Sequence, residues 1–141
     1  QHLHDEKKVQ CFYVGGALGV DMWAAGQILR LREQPGYEDI ELVVALPFVG
    51  HDSKWDVRNK NRMEFILRHC NKKVVVGNED CRESYIKRNC YMVDQADYLV
   101  AVYDDAKNLR SGTMQCVRYA RKNNVPVVLI HPDTANITYP M

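Results

Sequence analysis

Apolar residues in this chain alternate between short continuous runs and stretches in which they recur every three or four positions. Continuous runs are typical of strands that are buried on both faces, and the longer spacing is typical of amphipathic helices. In the helix predicted for residues 20–33, Trp23, Ala24, Ile28 and Leu31 share one face. The pattern predicts strands at 11–14, 41–47, 72–77, 97–104 and 125–132, and helices at 20–33, 56–70, 83–96 and 111–124.

Each pair of consecutive strands is joined by a helix, which predicts right-handed crossovers and an α/β three-layer sandwich with a mainly parallel sheet. No repeat, linker or low-complexity segment divides the chain, so we expect a single domain over residues 1–141. Residues 134–141 are predicted to form a surface tail. Residues 1–10 resemble the last turn of a helix, and we expect a piece of chain to precede Gln1.

Composition excludes several classes of function. A formal net charge of +1 gives no general attraction for nucleic acid, and no apolar run approaches the length of a membrane helix. The chain holds an odd number of cysteines and no C-x-x-C, which predicts reduced thiols in a cytoplasmic protein. Its histidines show no metal-ligand spacing, and neither a P-loop nor a hydrolase triad is present, so we predict no metal and no cofactor.

The first candidate site is the glycine-rich segment between the first strand and its helix. Gly15, Gly16 and Gly19 allow backbone amides to approach a phosphate at a helix N-terminus, or they only make a tight corner. Asp21 near the helix start complements the helix dipole or contacts a ribose hydroxyl.

A second segment of small residues, Ser111, Gly112 and Thr113, opens the last predicted helix. Ser and Thr are good helix caps, so capping alone is one explanation. Because the carboxyl ends of parallel strands meet at one edge of a sheet, we expect this turn and the glycine loop to lie together and bind an anion.

Two further groups contain candidate ligand-binding residues. Trp55 lies in a polar loop after the second strand, where it stacks on a ring of the ligand or anchors the loop to the core. Arg88, Asn89 and Asp94 are polar residues within a helix, where they reach the site or form an internal hydrogen-bond network.

Several runs together resemble the SLOG superfamily, which contains DprA and the LOG enzymes, and its YpsA-type branch in particular. These runs are GGALGVDMWAAGQILRLRE, KRNCYMVDQADYLVAVYD and SGTMQCVRYARKNNVPVVLIHP. The resemblance implies a Rossmann-like fold in a bacterial or phage protein that binds nucleotides at the glycine loops. Carried over to this chain, it implicates Gly15, Gly16, Gly19, Asp21, Gly112 and Thr113, with Arg88, Asn89 and Asp94 in a further motif.

The chain departs from that pattern in two places. Members of the SLOG superfamily begin with a strand that lies inside the sheet, and we expect this strand to be missing here. The sheet would then have a gap and the site would be incomplete. LOG enzymes carry a catalytic glutamate where this chain has Cys116. Cysteine does not readily supply a carboxylate charge, so we predict no catalytic residues.

The sequence therefore predicts a module that senses or sequesters a nucleotide or an ADP-ribose-like molecule. The alternative is a nucleotide N-glycosidic hydrolase with Asp21 or Asp94 as its carboxylate. A third interpretation is an interaction protein with a vestigial pocket. A homodimer would be ordinary for the resembled family.

Overall fold

The computed structural model describes residues 1–103 and 112–140, and the predicted α/β architecture is confirmed. Each strand and helix predicted from the hydrophobic pattern is present within a few residues of its expected bounds. The elements are α1 (His2–Lys7), β1 (Cys11–Val14), α2 (Val20–Arg32), β2 (Glu41–Leu46), α3 (Val57–His69), β3 (Lys72–Val75), α4 (Arg82–Gln95), β4 (Leu99–Val102), α5 (Gly112–Lys122), β5 (Val127–Ile130) and β6 (Ile137–Thr138).

The strands form two three-stranded sheets. In the first, β1, β2 and β3 are adjacent and parallel, with Val14 paired with Val44 and Leu46 with Val75. In the second, β4 is parallel to β5, and β6 is antiparallel to β5. The described strands therefore do not join into one continuous sheet, and β1 and β4 each lie at the end of their sheet's strand order.

The C-terminal segment differs from the surface tail predicted for it, because it contains β6. Both residues of this strand are exposed, and it is held by pairing Ile137 with Ile130. The strand therefore depends on main-chain hydrogen bonds, which leave no apolar pattern in the sequence.

The larger core cluster lies where α2 and α3 cover the first sheet, around Leu42, Val44, Met63 and Ile66. The predicted buried face of α2 was wrong for Trp23, whose exposed fraction is 58%. The helix buries Met22, Ala25 and Leu29 instead. Trp23 follows Met22 by one residue, or about 100° around the helix, which turns the indole toward solvent.

Gly26 lies inside α2, and a β-carbon there would have Arg62 Nη2 as its nearest neighbour, at 3.7 Å. Since this is ordinary van der Waals contact, Gly26→Ala should stabilise the protein by about 0.5–1 kcal/mol through the better helix propensity of alanine. Urea denaturation followed by circular dichroism measures the change. A lower denaturation midpoint would contradict the open space seen beside this glycine.

The five cysteines are free thiols in the structure, as predicted. No helix in the described part of the chain has both the length and the apolar character needed to cross a membrane.

Candidate functional site

The glycine loop, residues 15–19, joins β1 to α2 and needs its glycines for different reasons. A β-carbon on Gly15 would lie 2.8 Å from Asp21 Oδ2 and 2.9 Å from Arg88 Nη1. Gly16 has a φ of 69°, and a β-carbon there would lie 2.6 Å from Leu46 Cδ2. Gly19 has a φ of 87° and faces open space. The loop is thus packed closely on its inner side and open at the start of α2.

Within this loop, Leu18 and Gly19 are exposed, whereas Gly15 and Gly16 are buried. The N–H of Ala17 donates to Asp21 Oδ2 at 3.2 Å. Within residues 1–103 and 112–140, the amides of Gly16, Leu18 and Gly19 have no protein acceptor. No side chain caps α2, whose N-cap is Gly19. An uncapped helix N-terminus with open amides is suited to an anion.

Arg88 provides a buried positive charge beside the loop. Its exposed fraction is 6%, and it donates from Nη1 to the carbonyl oxygen of Gly15 and from Nε to Asn89 Oδ1, the latter at 2.9 Å. Among the described residues, no carboxylate lies within the 4.0 Å that defines an ion pair with it. Burial lowers the pKa of Arg88, and the charge of Asp21 acts in the opposite direction. The guanidinium is therefore hydrogen-bonded, and within residues 1–103 and 112–140 it forms no direct ion pair.

Asn89 connects this charge to the start of α5. Its Nδ2 donates to Gln115 Oε1 at 3.2 Å, and a β-carbon on Gly112 would lie 3.9 Å from the same Nδ2. Thr113 is exposed in the first turn of α5. The structure thus places Gly15 next to Arg88 and Gly112 next to Asn89, the residue that follows Arg88 in α4. Ser111 lies outside the described residues.

His51 is a contributor that the sequence analysis missed. Its Nε2 donates to the carbonyl oxygen of Gly16 at 2.9 Å, which fixes the inner side of the glycine loop. The His51 ring meets Trp55 edge to face, with centroids 5.2 Å apart. Trp55 also packs against the larger core cluster, and this contact supports its predicted role as an anchor of the loop. Its stacking on a ligand stays a prediction.

Asp94 is not brought to the glycine loop. It is exposed in the last turn of α4, where it accepts a hydrogen bond from the Tyr119 hydroxyl at 2.7 Å. Its hydrogen bond with Tyr119 links α4 to α5, and it lies six residues after Arg88 in α4.

Cys116 is buried in the second core cluster with Val93 and Ala120. Burial, with a smaller contribution from Cys90, raises the pKa of its thiol to about 11. The thiol is therefore neutral at physiological pH and does not replace the carboxylate of a glycoside-cleaving enzyme.

A groove of about 1070 Å³ adjoins the site between α4 and α5. Asn89 and Gly112 line this groove together with Arg82, Tyr85 and Lys122. A groove of this volume is large enough for a small organic molecule. Within the described residues, no group of three His, Cys, Asp or Glu side chains is arranged to hold a metal.

Parallel strands covered by helices, with open amides where β1 leads into α2, define a Rossmann-like α/β domain. The profile of the YspA SLOG family matches residues 1–135. The chain belongs to this family, and the YpsA-type branch of SLOG indicated by its motifs is confirmed.

The relatives are proteins of bacteria and of a prophage. A UPF0398 protein of Staphylococcus epidermidis is 25% identical over 107 residues, covering 74% of this chain and 55% of the relative. A UPF0398 protein of Bacillus cereus is 28% identical over 104 residues, covering 72% and 55%. The uncharacterized SPbeta prophage-derived protein YoqJ of Bacillus subtilis is 32% identical over 145 residues, covering 91% of this chain and 82% of YoqJ. The chain thus spans about half the length of the UPF0398 proteins it matches.

Proposed function

We propose that this domain binds a nucleotide or a nucleotide-derived molecule at the glycine loop, as a sensing or sequestering module. The observation that carries the proposal is the buried Arg88 guanidinium, which adjoins open backbone amides and has no ion-pair partner among the described residues. Among the described residues, Asp21 acts on this charge only beyond ion-pair distance, and an anionic ligand would place a negative charge in direct contact with the buried guanidinium. The membership in a SLOG family supports the nucleotide class of ligand.

The amides of the exposed residues Leu18 and Gly19 would donate to phosphate oxygens at the start of α2, where the helix dipole favours negative charge. Arg88 would stabilise that charge from the inner side of the loop. Asp21 repels phosphate but accepts hydrogen bonds from hydroxyl groups, so a ribose next to the phosphate suits its position. The groove between α4 and α5 would hold the remainder of the ligand.

The alternative, hydrolysis of a nucleotide N-glycosidic bond, needs a carboxylate at the site. Asp21 lies at the glycine loop, beside Gly15, whereas Asp94 is hydrogen-bonded to Tyr119 away from the loop. The neutral Cys116 thiol makes the binding function the better supported of the two.

Gly112→Glu tests the proposed site, because it places a carboxylate at the start of α5, beside Asn89. We expect AMP, ADP or ADP-ribose at millimolar concentration to raise the melting temperature of the unsubstituted chain. In Gly112→Glu, the apparent affinity obtained from the concentration dependence of this rise should be at least tenfold lower. Gln27→Glu, which adds the same charge on the exposed face of α2, is the matched control and should respond like the unsubstituted chain.

Chromatography of the same incubations for free base separates the two functions. Stabilisation without release of base supports the binding module, and release of base that Asp21→Asn abolishes supports the hydrolase. An equal response of Gly112→Glu and the unsubstituted chain would show that the ligand binds elsewhere.

A further inference from the structure

Helix α1 contacts both halves of the molecule. His4 Nε2 lies 2.8 Å from Asp39 Oδ1, in the turn that leads into β2 of the first sheet. The ring of His2 lies against that of Tyr139, just after β6 of the second sheet, with centroids 4.9 Å apart. The helix has six residues and none of them is buried. Because none of its residues is buried, α1 is held against the described part of the molecule by surface contacts such as these.

The His4 ring has a carboxylate on each side. Its Nδ1 lies 3.2 Å from Asp5 Oδ1, and its Nε2 faces Asp39. A neutral imidazole has one N–H and donates one hydrogen bond, whereas ionised carboxylates only accept. Both contacts are satisfied together only when the ring is an imidazolium.

The other groups around this ring are consistent with a positive charge. The Tyr37 hydroxyl donates to Asp5 Oδ2 at 3.0 Å, and Gln10 Nε2 donates to Asp39 Oδ2 at 2.9 Å, so each carboxylate is held in place by a second donor. Lys8 lies at the same small cavity and is the one further cation there among the described residues.

We propose that α1 is a pH-sensitive clasp: protonated His4 fixes the helix to the turn before β2 and thereby holds His2 against Tyr139, so that loss of this proton frees α1 from both contacts. The clasp is independent of the proposed ligand site.

The direction of the pH dependence follows from the shifted pKa values of His4, Asp5 and Asp39. The hydrogen bond to Asp39 raises the pKa of His4, and the hydrogen bond from His4 lowers the pKa of both Asp5 and Asp39. The stabilisation from His4 is complete below the ordinary histidine pKa of about 6.5 and disappears as pH rises through the elevated value. The aspartates lose their contribution only as pH falls through their lowered pKa values.

Hydrogen exchange between pH 5.5 and 9, corrected for the intrinsic rate at each pH, tests the clasp. The amides of Asp5 and Val9, which bond to the Gln1 and Leu3 carbonyls, report on α1. We expect their protection to fall at least fivefold through one titration step above pH 6.5, and the Tyr139 ring protons to shift in NMR spectra with the same midpoint. His4→Gln should abolish both steps, whereas His69→Gln, on α3, should leave them unchanged.

Protection that is independent of pH, or an equal step in His4→Gln, would overturn the proposal. A step in α1 protection without a matching shift of Tyr139 would overturn the coupling of His4 protonation to the contact between His2 and Tyr139. The NMR spectrum of His4→Gln shows whether the remainder of the fold is intact, so misfolding of the variant would not imitate either result.

Discussion

Arg88→Met is expected to abolish the rise in melting temperature that nucleotides produce, while the ligand-free protein stays folded. Methionine fills a similar volume but carries no charge. The two hydrogen bonds to Gly15 and Asn89 are lost, and the cost of burying an unpaired guanidinium is removed at the same time. These opposing effects should leave the free energy of unfolding within about 2 kcal/mol of its original value. The loss in affinity for ADP should be about 100-fold, corresponding to roughly 2.7 kcal/mol.

Arg30→Met is the matched control, because it removes an exposed arginine near the end of α2. Thermal unfolding with and without ADP, measured for both variants, gives the stability and the affinity from one experiment. A nucleotide response retained by Arg88→Met would show that this charge serves only the internal hydrogen-bond network. That result would remove the main support for the anion site.

Gly77→Ala is expected to be the most destabilising of the glycine substitutions considered. Gly77 is buried where the chain leaves β3 for α4, and its amide donates to the Pro47 carbonyl at 2.8 Å. A β-carbon would lie 2.3 Å from that same oxygen and 2.5 Å from Ser84 Oγ. Because backbone must move to admit the methyl group, we expect a loss of about 3 kcal/mol, at the upper end of the usual cost of overpacking.

In a domain of this size, that loss lowers the melting temperature by roughly 10 °C. Combining Gly77→Ala with Ser84→Ala removes one clash and leaves the one with the Pro47 carbonyl, so the double variant should recover only part of the loss. Gly26→Ala is the matched control and should shift in the opposite direction. A melting temperature for Gly77→Ala within 2 °C of the original would contradict the packing described here.

The alternation of buried runs and amphipathic stretches was sufficient to predict the elements from β1 to β5, because each one buries apolar side chains with a recognisable period. Trp23 shows the limit of this reasoning. The apolar residues of α2 are spread around much of the helix, so the pattern alone does not decide which of them face the core. Strand β6 was missed because its side chains are exposed and only its backbone is paired.

The candidate site was predictable to the extent that it depends on local backbone geometry. Gly15 and Gly16 mark a turn where little side-chain volume fits, and glycine in the sequence is itself the signal. The hydrogen bonds from Arg88 to Gly15 and from His51 to Gly16 join residues 73 and 35 positions apart. No local pattern encodes such pairs, so the sequence left both a ligand contact and an internal hydrogen-bond network open for Arg88.

Amide chemical-shift mapping with ADP tests most directly whether the glycine loop and the start of α5 form one anion site. We expect the largest shifts in an ¹⁵N-labelled sample to fall on Gly16, Leu18, Gly19 and Gly112, with a shift of the Arg88 Nε–H resonance at the same ligand concentration. Saturating ADP that leaves these signals in place, or that shifts only residues of another surface, would contradict the site.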